Sequence, residues 1–124
     1  MYTRSLNRAT LLGKLILEPE LFHTSTGKAY CKMRLMTSYS YADIDGNEQV
    51  KKQVHHITAW GRQAEISAEY LHVNSLLYIE GHIEYPEWTA KDGTLKKKTD
   101  IHVHYMLILS PTRRFVKKDA PPQP

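Results

Sequence analysis

A single cysteine, Cys31, stands among 124 residues, so no intrachain disulfide framework is available and the chain fits a reducing compartment. Whatever holds the fold together is packing. No apolar run reaches the roughly 18 residues that a membrane helix needs. The opening "MYTRSLNRATLLGKL" also lacks the apolar core and small-residue cleavage site of a secretory signal. Neither membrane insertion nor secretion is predicted. Charge of one sign is scarce too. The net charge is +4, but residues 111–124 hold four of the 17 basic and one of the 13 acidic side chains, leaving 13 against 12 in the rest. A face that binds a polyanion must therefore arise by local segregation rather than bulk charge. There is no C-x-x-C or H-E-x-x-H spacing. Although His102 and His104 share a strand face, the seven histidines and one cysteine make no metal motif, and no metal or cofactor is expected.

What is present suits one domain over residues 1–110, followed by a basic, Pro-rich tail, residues 111–124, whose composition predicts disorder. Leu6 to Leu17 reads as a strand, with Gly13 marking a bulge or a close backbone approach. "LFHTSTGK" is a short strand ending in a Gly turn. "AYCKMRLMTSY" then sets Cys31, Met33 and Leu35 against Tyr30, Lys32 and Arg34 in period two, one face apolar and the other basic. "SYADIDGNEQVKK" has no periodicity and reads as a long functional or disordered loop. "VHHITAW" places Val54, His56, Thr58 and Trp60 on one strand face and His55, Ile57 and Ala59 on the other. "RQAEISAEYLH" is the one convincing helix, with Asn74 where a C-terminal cap would stand. "SLLYIEGHI" and "TDIHVHYMLIL" close the list as strands.

With the short "LFHTSTGK" strand left out of the count, three strands, a helix and two strands, with long polar connections before the third strand and between the fourth and fifth, is an all-β layout with one helix. It predicts a five-stranded Greek-key barrel of the OB-fold type, which binds oligonucleotides or oligosaccharides on its strand 2 and 3 face. Single-stranded nucleic acid exposes base faces along a phosphate rail, so a general binder needs aromatic platforms interleaved with cations. Trp60 with Tyr30, Lys32 and Arg34 supplies such a set on the sheet, and Lys51, Lys52, Arg62, Lys96, Lys97 and Lys98 border the long connections. "GHIEYPEWTAKDGTLKKKT" adds Tyr85 and Trp88 in polar surroundings where a core partner is hard to find. By itself the lysine run is a solvated hairpin end; beside two aromatics it reads as a binding surface. For Tyr39 and Tyr41, composition leaves strand-end packing and base stacking equally open.

"NRATLLGKL", "HHITAWGRQAEISAEYL" and "SLLYIEGHIEYPEWTAKDG" together resemble the single-stranded DNA-binding proteins of bacteria and mitochondria, over about Leu6 to Leu109. The resemblance implies an OB barrel that assembles as a homotetramer and binds single-stranded DNA in replication, repair and recombination, in the bacterial cytoplasm at the nucleoid or in the mitochondrial matrix. It implies no enzymatic activity. Family base-stacking aromatics are matched by Tyr41, Trp60 and Trp88, while a fourth falls on Val54, which has no ring. His55 matches a family histidine at a subunit interface. Two departures stand out: Glu84 and Glu87 flank a hairpin that is basic in many members, and the 124 residues contain no counterpart of the acidic tail that recruits replication and repair proteins. These departures keep open a second expectation, an assembly protein of the primosomal kind that binds nucleic acid weakly. A nuclease is disfavoured, because Asp43, Asp45 and Glu48 form the only acidic cluster and also read as a turn.

Overall fold

The computed structural model describes residues 4–110, so the predicted tail lies outside the described residues. Eight strands and one helix follow in the order β1 (Ala9–Leu15), β2 (Glu20–His23), β3 (Ala29–Ala42), β4 (Glu48–Trp60), α1 (Arg62–Tyr70), β5 (Leu76–Glu84), β6 (Glu87–Thr89), β7 (Leu95–Lys97) and β8 (Asp100–Ile108). The main sheet runs β1-β5-β8-β4-β3-β2, and β1 reaches round to pair with β3 through Lys14↔Met36 and Leu15↔Leu35. That last pairing closes the five-stranded barrel, with β2 continuing the path of β1 along β3. β4 and β8 are parallel and the other pairs antiparallel, as the Greek-key connection requires.

Alternation along the strands fills the interior. Cys31, Met33 and Leu35 point inward from β3, Ile57 and Ala59 from β4, Leu77 and Ile79 from β5, and Ile101 and Val103 from β8. α1 adds Ala64, and Leu71 plugs the barrel just beyond it. Each fully buried aliphatic side chain contributes roughly 1.5–3 kcal/mol over its exposed state, which makes this the dominant stabilising term. Two glycines let the barrel close. A Cβ at Gly13 would stand 2.2 Å from the Met36 carbonyl oxygen, and one at Gly81 would stand 2.0 Å from that of His102. The predicted close approach at Gly13 is present, and Gly81 marks the register shift between β5 and β8.

Two expectations need correction. The segment read as a loop is the outer half of β3 and β4, which pair without interruption from Tyr30↔Trp60 to Ala42↔Glu48 and form a two-stranded ribbon beyond the barrel. Both faces of this ribbon meet water, so it has no hydrophobic period to read. Asp43 Oδ1 accepts the backbone N–H of Asp45 (3.0 Å) and of Asn47 (2.9 Å), and its Oδ2 accepts the Gln49 amide (3.0 Å). The Asn47 bond leads the interactions that hold the Asp43 carboxyl below the usual carboxylate range. The acidic cluster thus builds a turn. The helix also ends earlier than Asn74 suggested: Leu71 is its cap and donates its backbone N–H to the Ser67 carbonyl. Asn74 sits in the next turn at φ 73° and ties it to Leu15 by a 2.7 Å bond. Asparagine tolerates left-handed backbone, and here that tolerance serves the turn after the helix rather than the helix end.

Candidate nucleic-acid interface

Because facing residues of an antiparallel pair share a side of the sheet, the β3–β4 ladder puts Tyr30 beside Trp60, Lys32 beside Thr58 and Arg34 beside His56 on one outer face. The face predicted from the alternation is therefore assembled. Tyr30 and Trp60 stack at 4.9 Å between centroids and 29° between planes, and both are half-buried. The stripe extends further than the sequence suggested. Phe22 stacks on Tyr30 at 5.3 Å from β2, His102 lies parallel to Trp60 at 6.3 Å from β8, and His82 stacks on His102 at 5.0 Å from β5. Five rings thus cross five strands in one row. Cations sit along it: Lys28 Nζ is 5.1 Å from the Trp60 ring centroid, and Lys32 Nζ is 5.7 Å from that of Phe22 and 6.0 Å from that of Tyr30.

Beyond the row, Lys32, Arg34, His56, Lys98 and the buried Asp100 line a groove together with Glu18 and Glu20. Burial, with the Lys98 and Arg34 charges, holds His56 below its ordinary range, which keeps the imidazole neutral at pH 7. Burial likewise lowers His102, and Glu84 opposes that shift. Asp100 is pushed up by burial, against a hydrogen bond in which the Thr58 hydroxyl donates to its Oδ1 at 3.1 Å.

The remaining expected residues stand on two ribbons. Tyr39 and Tyr41, 6.2 Å apart on the β3–β4 ribbon, lie opposite Lys51 and Gln49, while Lys52 faces Ser38 on the other side. On the β6–β7 ribbon Trp88 pairs with Lys96 and Glu87 with Lys97, and Tyr85 lies just before it. Tyr85 and Trp88 are 63% and 48% exposed, so neither is a core ring. Lys98 donates its backbone N–H to the Pro86 carbonyl and lines the groove beside Arg34, His56 and Asp100. Arg62 is exposed at the first position of α1, two residues past the end of the row's central strand. Val54 is exposed at the base of the longer ribbon. His55 points to the side opposite Trp60, its Nε2 2.9 Å from Thr37 Oγ1. The glutamates flanking Trp88 are partly engaged: Glu84 accepts from His82 at 2.7 Å and lies 3.7 Å from His102.

Sequence reasoning missed Phe22, Lys28 and His82. Phe22 and His82 belong to the row only through cross-strand register, Phe22↔Tyr30 and His82↔His102, which a linear pattern does not contain. A second outer surface lies elsewhere: Leu12, Tyr78 and Leu107 face one another across β1, β5 and β8, with Leu12 52% and Leu107 45% exposed.

The model of the single-strand binding protein family matches residues 6–109. A single-stranded DNA-binding protein of Xanthomonas axonopodis pv. citri is 35% identical over 106 residues, 86% of this chain and 59% of the relative. One of Neisseria meningitidis serogroup A is 33% identical over 105 residues, 85% of this chain and 60% of the relative. The chain therefore spans less than two thirds of the length of either. The crystal structure of the wild-type single-stranded DNA-binding protein of Thermus aquaticus superposes with a TM-score of 0.74 at 29% identity, covering 89% of this chain and 53% of that one. Plasmodium falciparum SSB, solved in complex with ssDNA, superposes with a TM-score of 0.79 at 22% identity, covering 89% of this chain and all of that one, and shares the fold.

Proposed function

This chain belongs to the single-strand binding protein family, and from that premise we propose that it binds single-stranded DNA without sequence preference, coating it during replication, repair and recombination. The observation that carries the reading is the row of rings from Phe22 through Tyr30 and Trp60 to His102 and His82, flanked by Lys28 and Lys32. Every base has a π-face, so such a row binds any sequence, each stacked base contributing roughly 1–3 kcal/mol. Arg34, Lys51, Lys52, Arg62, Lys96, Lys97 and Lys98 track the phosphates, and Tyr41, Tyr85 and Trp88 extend the stacking surface along the two ribbons. The role is binding without catalysis. Its bacterial relatives support a place in the bacterial cytoplasm, at the nucleoid.

The apolar row Leu12, Tyr78 and Leu107 supports self-association, and we assign the protein to a homotetramer with His55 at a subunit contact. His55→Lys is expected to lower the mass in light scattering; an unchanged mass would remove His55 from the contact.

The test of function is competition. Binding of oligo(dT) should survive an excess of duplex of the same length, and the logarithm of its affinity should fall against the logarithm of salt concentration with a slope of about −0.7 per phosphate neutralised. Glu87 beside Trp88 and a near-neutral barrel favour a second reading, an assembly protein acting mainly through protein contacts. Weak binding, or binding that duplex displaces, would put that reading first.

A further inference from the structure

At the β5–β8 end of the ring row, His82 and Glu84 lie two residues apart on one strand, and His102 faces His82 from the next. Their donor atoms converge. His82 Nε2 is 2.7 Å from Glu84 Oε1, His102 Nδ1 is 3.7 Å from the same oxygen, and one ligand atom from each residue lies within 4.8 Å of the others. We infer that His82, Glu84 and His102 form a binding site for one divalent cation of the zinc class. Zinc binds imidazole nitrogen and carboxylate oxygen at about 2.0–2.2 Å, which places tetrahedral ligand atoms roughly 3.4 Å apart, inside the range seen here. Two imidazoles and one carboxylate suit zinc, nickel or copper better than magnesium or calcium, which prefer all-oxygen shells.

A supporting contact is present as well. A cation would displace the proton that His82 Nε2 donates to Glu84; the ring proton then sits on Nδ1, 2.7 Å from His104 Nε2, and the freed Nε2 lone pair faces the cation. Such a bond fixes the tautomer and ring orientation of a metal-binding histidine. The side chains of His82, His102 and Glu84 are 30%, 32% and 48% exposed, which leaves an entry path and a fourth position open to water. The ligand set escapes motif reading because it is written as H-x-E on one strand and H-x-H on another. Cys31 is buried in the barrel and takes no part.

A bound dication would outweigh the Glu84 charge and make the end of the ring row locally cationic, giving a phosphate oxygen a place at the fourth position. That consequence rests on the nucleic-acid reading; the cation site does not. Calorimetry of the full chain with Zn²⁺, without DNA, is expected to show one ion per chain. His102→Ala and Glu84→Gln should each weaken binding at least about tenfold, and His72→Ala should leave it unchanged, with circular dichroism reporting that each variant is folded. In Trp88→Phe, Cu²⁺ at the same site should quench Trp60, whose ring is 6.3 Å from His102. Absence of saturable binding at one ion per chain, or binding equally strong when His82, Glu84 and His102 are all replaced, would overturn the proposal. Loss of oligo(dT) binding with Zn²⁺ binding intact would count against the nucleic-acid reading alone.

Discussion

The barrel face and the two ribbons carry aromatic rings under opposite mechanical conditions. Tyr30 and Trp60 rise from strands whose inward side chains, Cys31 and Ala59, are fully buried, and they stack on each other before any ligand arrives. Tyr39, Tyr41 and Trp88 stand on two-stranded extensions with water on both faces, and Tyr85 lies exposed just before the shorter one. The first set is pre-organised, so little side-chain entropy remains to be lost on binding. In the proposed binding mode the second is ordered by its ligand and reaches along the strand. One small barrel thus supplies a fixed platform and adaptable arms.

Stability offers the largest contrast. Leu35→Ala, at a fully buried barrel position, is expected to cost about 2–5 kcal/mol in chemical denaturation. Val50→Ala, on the ribbon and 62% exposed, should stay within about 0.5 kcal/mol. Equal costs would erase the distinction between platform and arm. Binding separates the two differently. Trp60→Ala and Trp88→Ala should each weaken oligo(dT) binding by about 1–3 kcal/mol, about 5- to 150-fold. Only Trp60→Ala, which breaks the Tyr30 stack, should also lower Tm. A lowered Tm in Trp88→Ala would mean that its ring packs within the fold.

Ionic contacts come next. Replacing both Lys51 and Lys52 by Ala should flatten the salt slope by about 1.4 if each neutralises one phosphate, while leaving the melting curve in place. An unchanged slope would remove the ribbon from the phosphate path. The smallest effect concerns Asp100 at the edge of the face. Burial raises its pKa in the fold, so the stability it contributes is fully present below its unfolded pKa and is lost as pH rises through the raised folded value. Asp100→Asn keeps an acceptor for Thr58 but cannot titrate. Between pH 4 and pH 7 the parent should therefore lose slightly more stability than the variant, by under about 1 kcal/mol; parallel melts at the two pH values check this.

Much of the platform was legible because period-two alternation carries it. Cys31, Met33 and Leu35 had to face inward once Tyr30, Lys32 and Arg34 faced out, and "VHHITAW" fixed the neighbouring face in the same way. The barrel order followed from the succession of strands around one helix. The ribbon was misread because its two faces are equally wet, leaving Asp43 and Gly46 as a turn signal without visible strands around it. Phe22, Lys28 and His82 stayed hidden for another reason. Their roles come from register between strands distant in sequence, and an apolar or polar pattern along one strand contains no register. His102 was noticed as one of a same-face pair, but its partners Trp60 and Glu84 appear only once β4, β5 and β8 lie side by side.

The most direct test of the account is fluorescence quenching by oligo(dT) in two single-tryptophan proteins, Trp88→Phe, which reports Trp60, and Trp60→Phe, which reports Trp88. Base stacking on both platform and arm predicts strong, saturable quenching in each protein with a shared midpoint that duplex competitor does not shift. Quenching of neither reporter at saturating DNA would contradict the claim that these rings are platforms for bases.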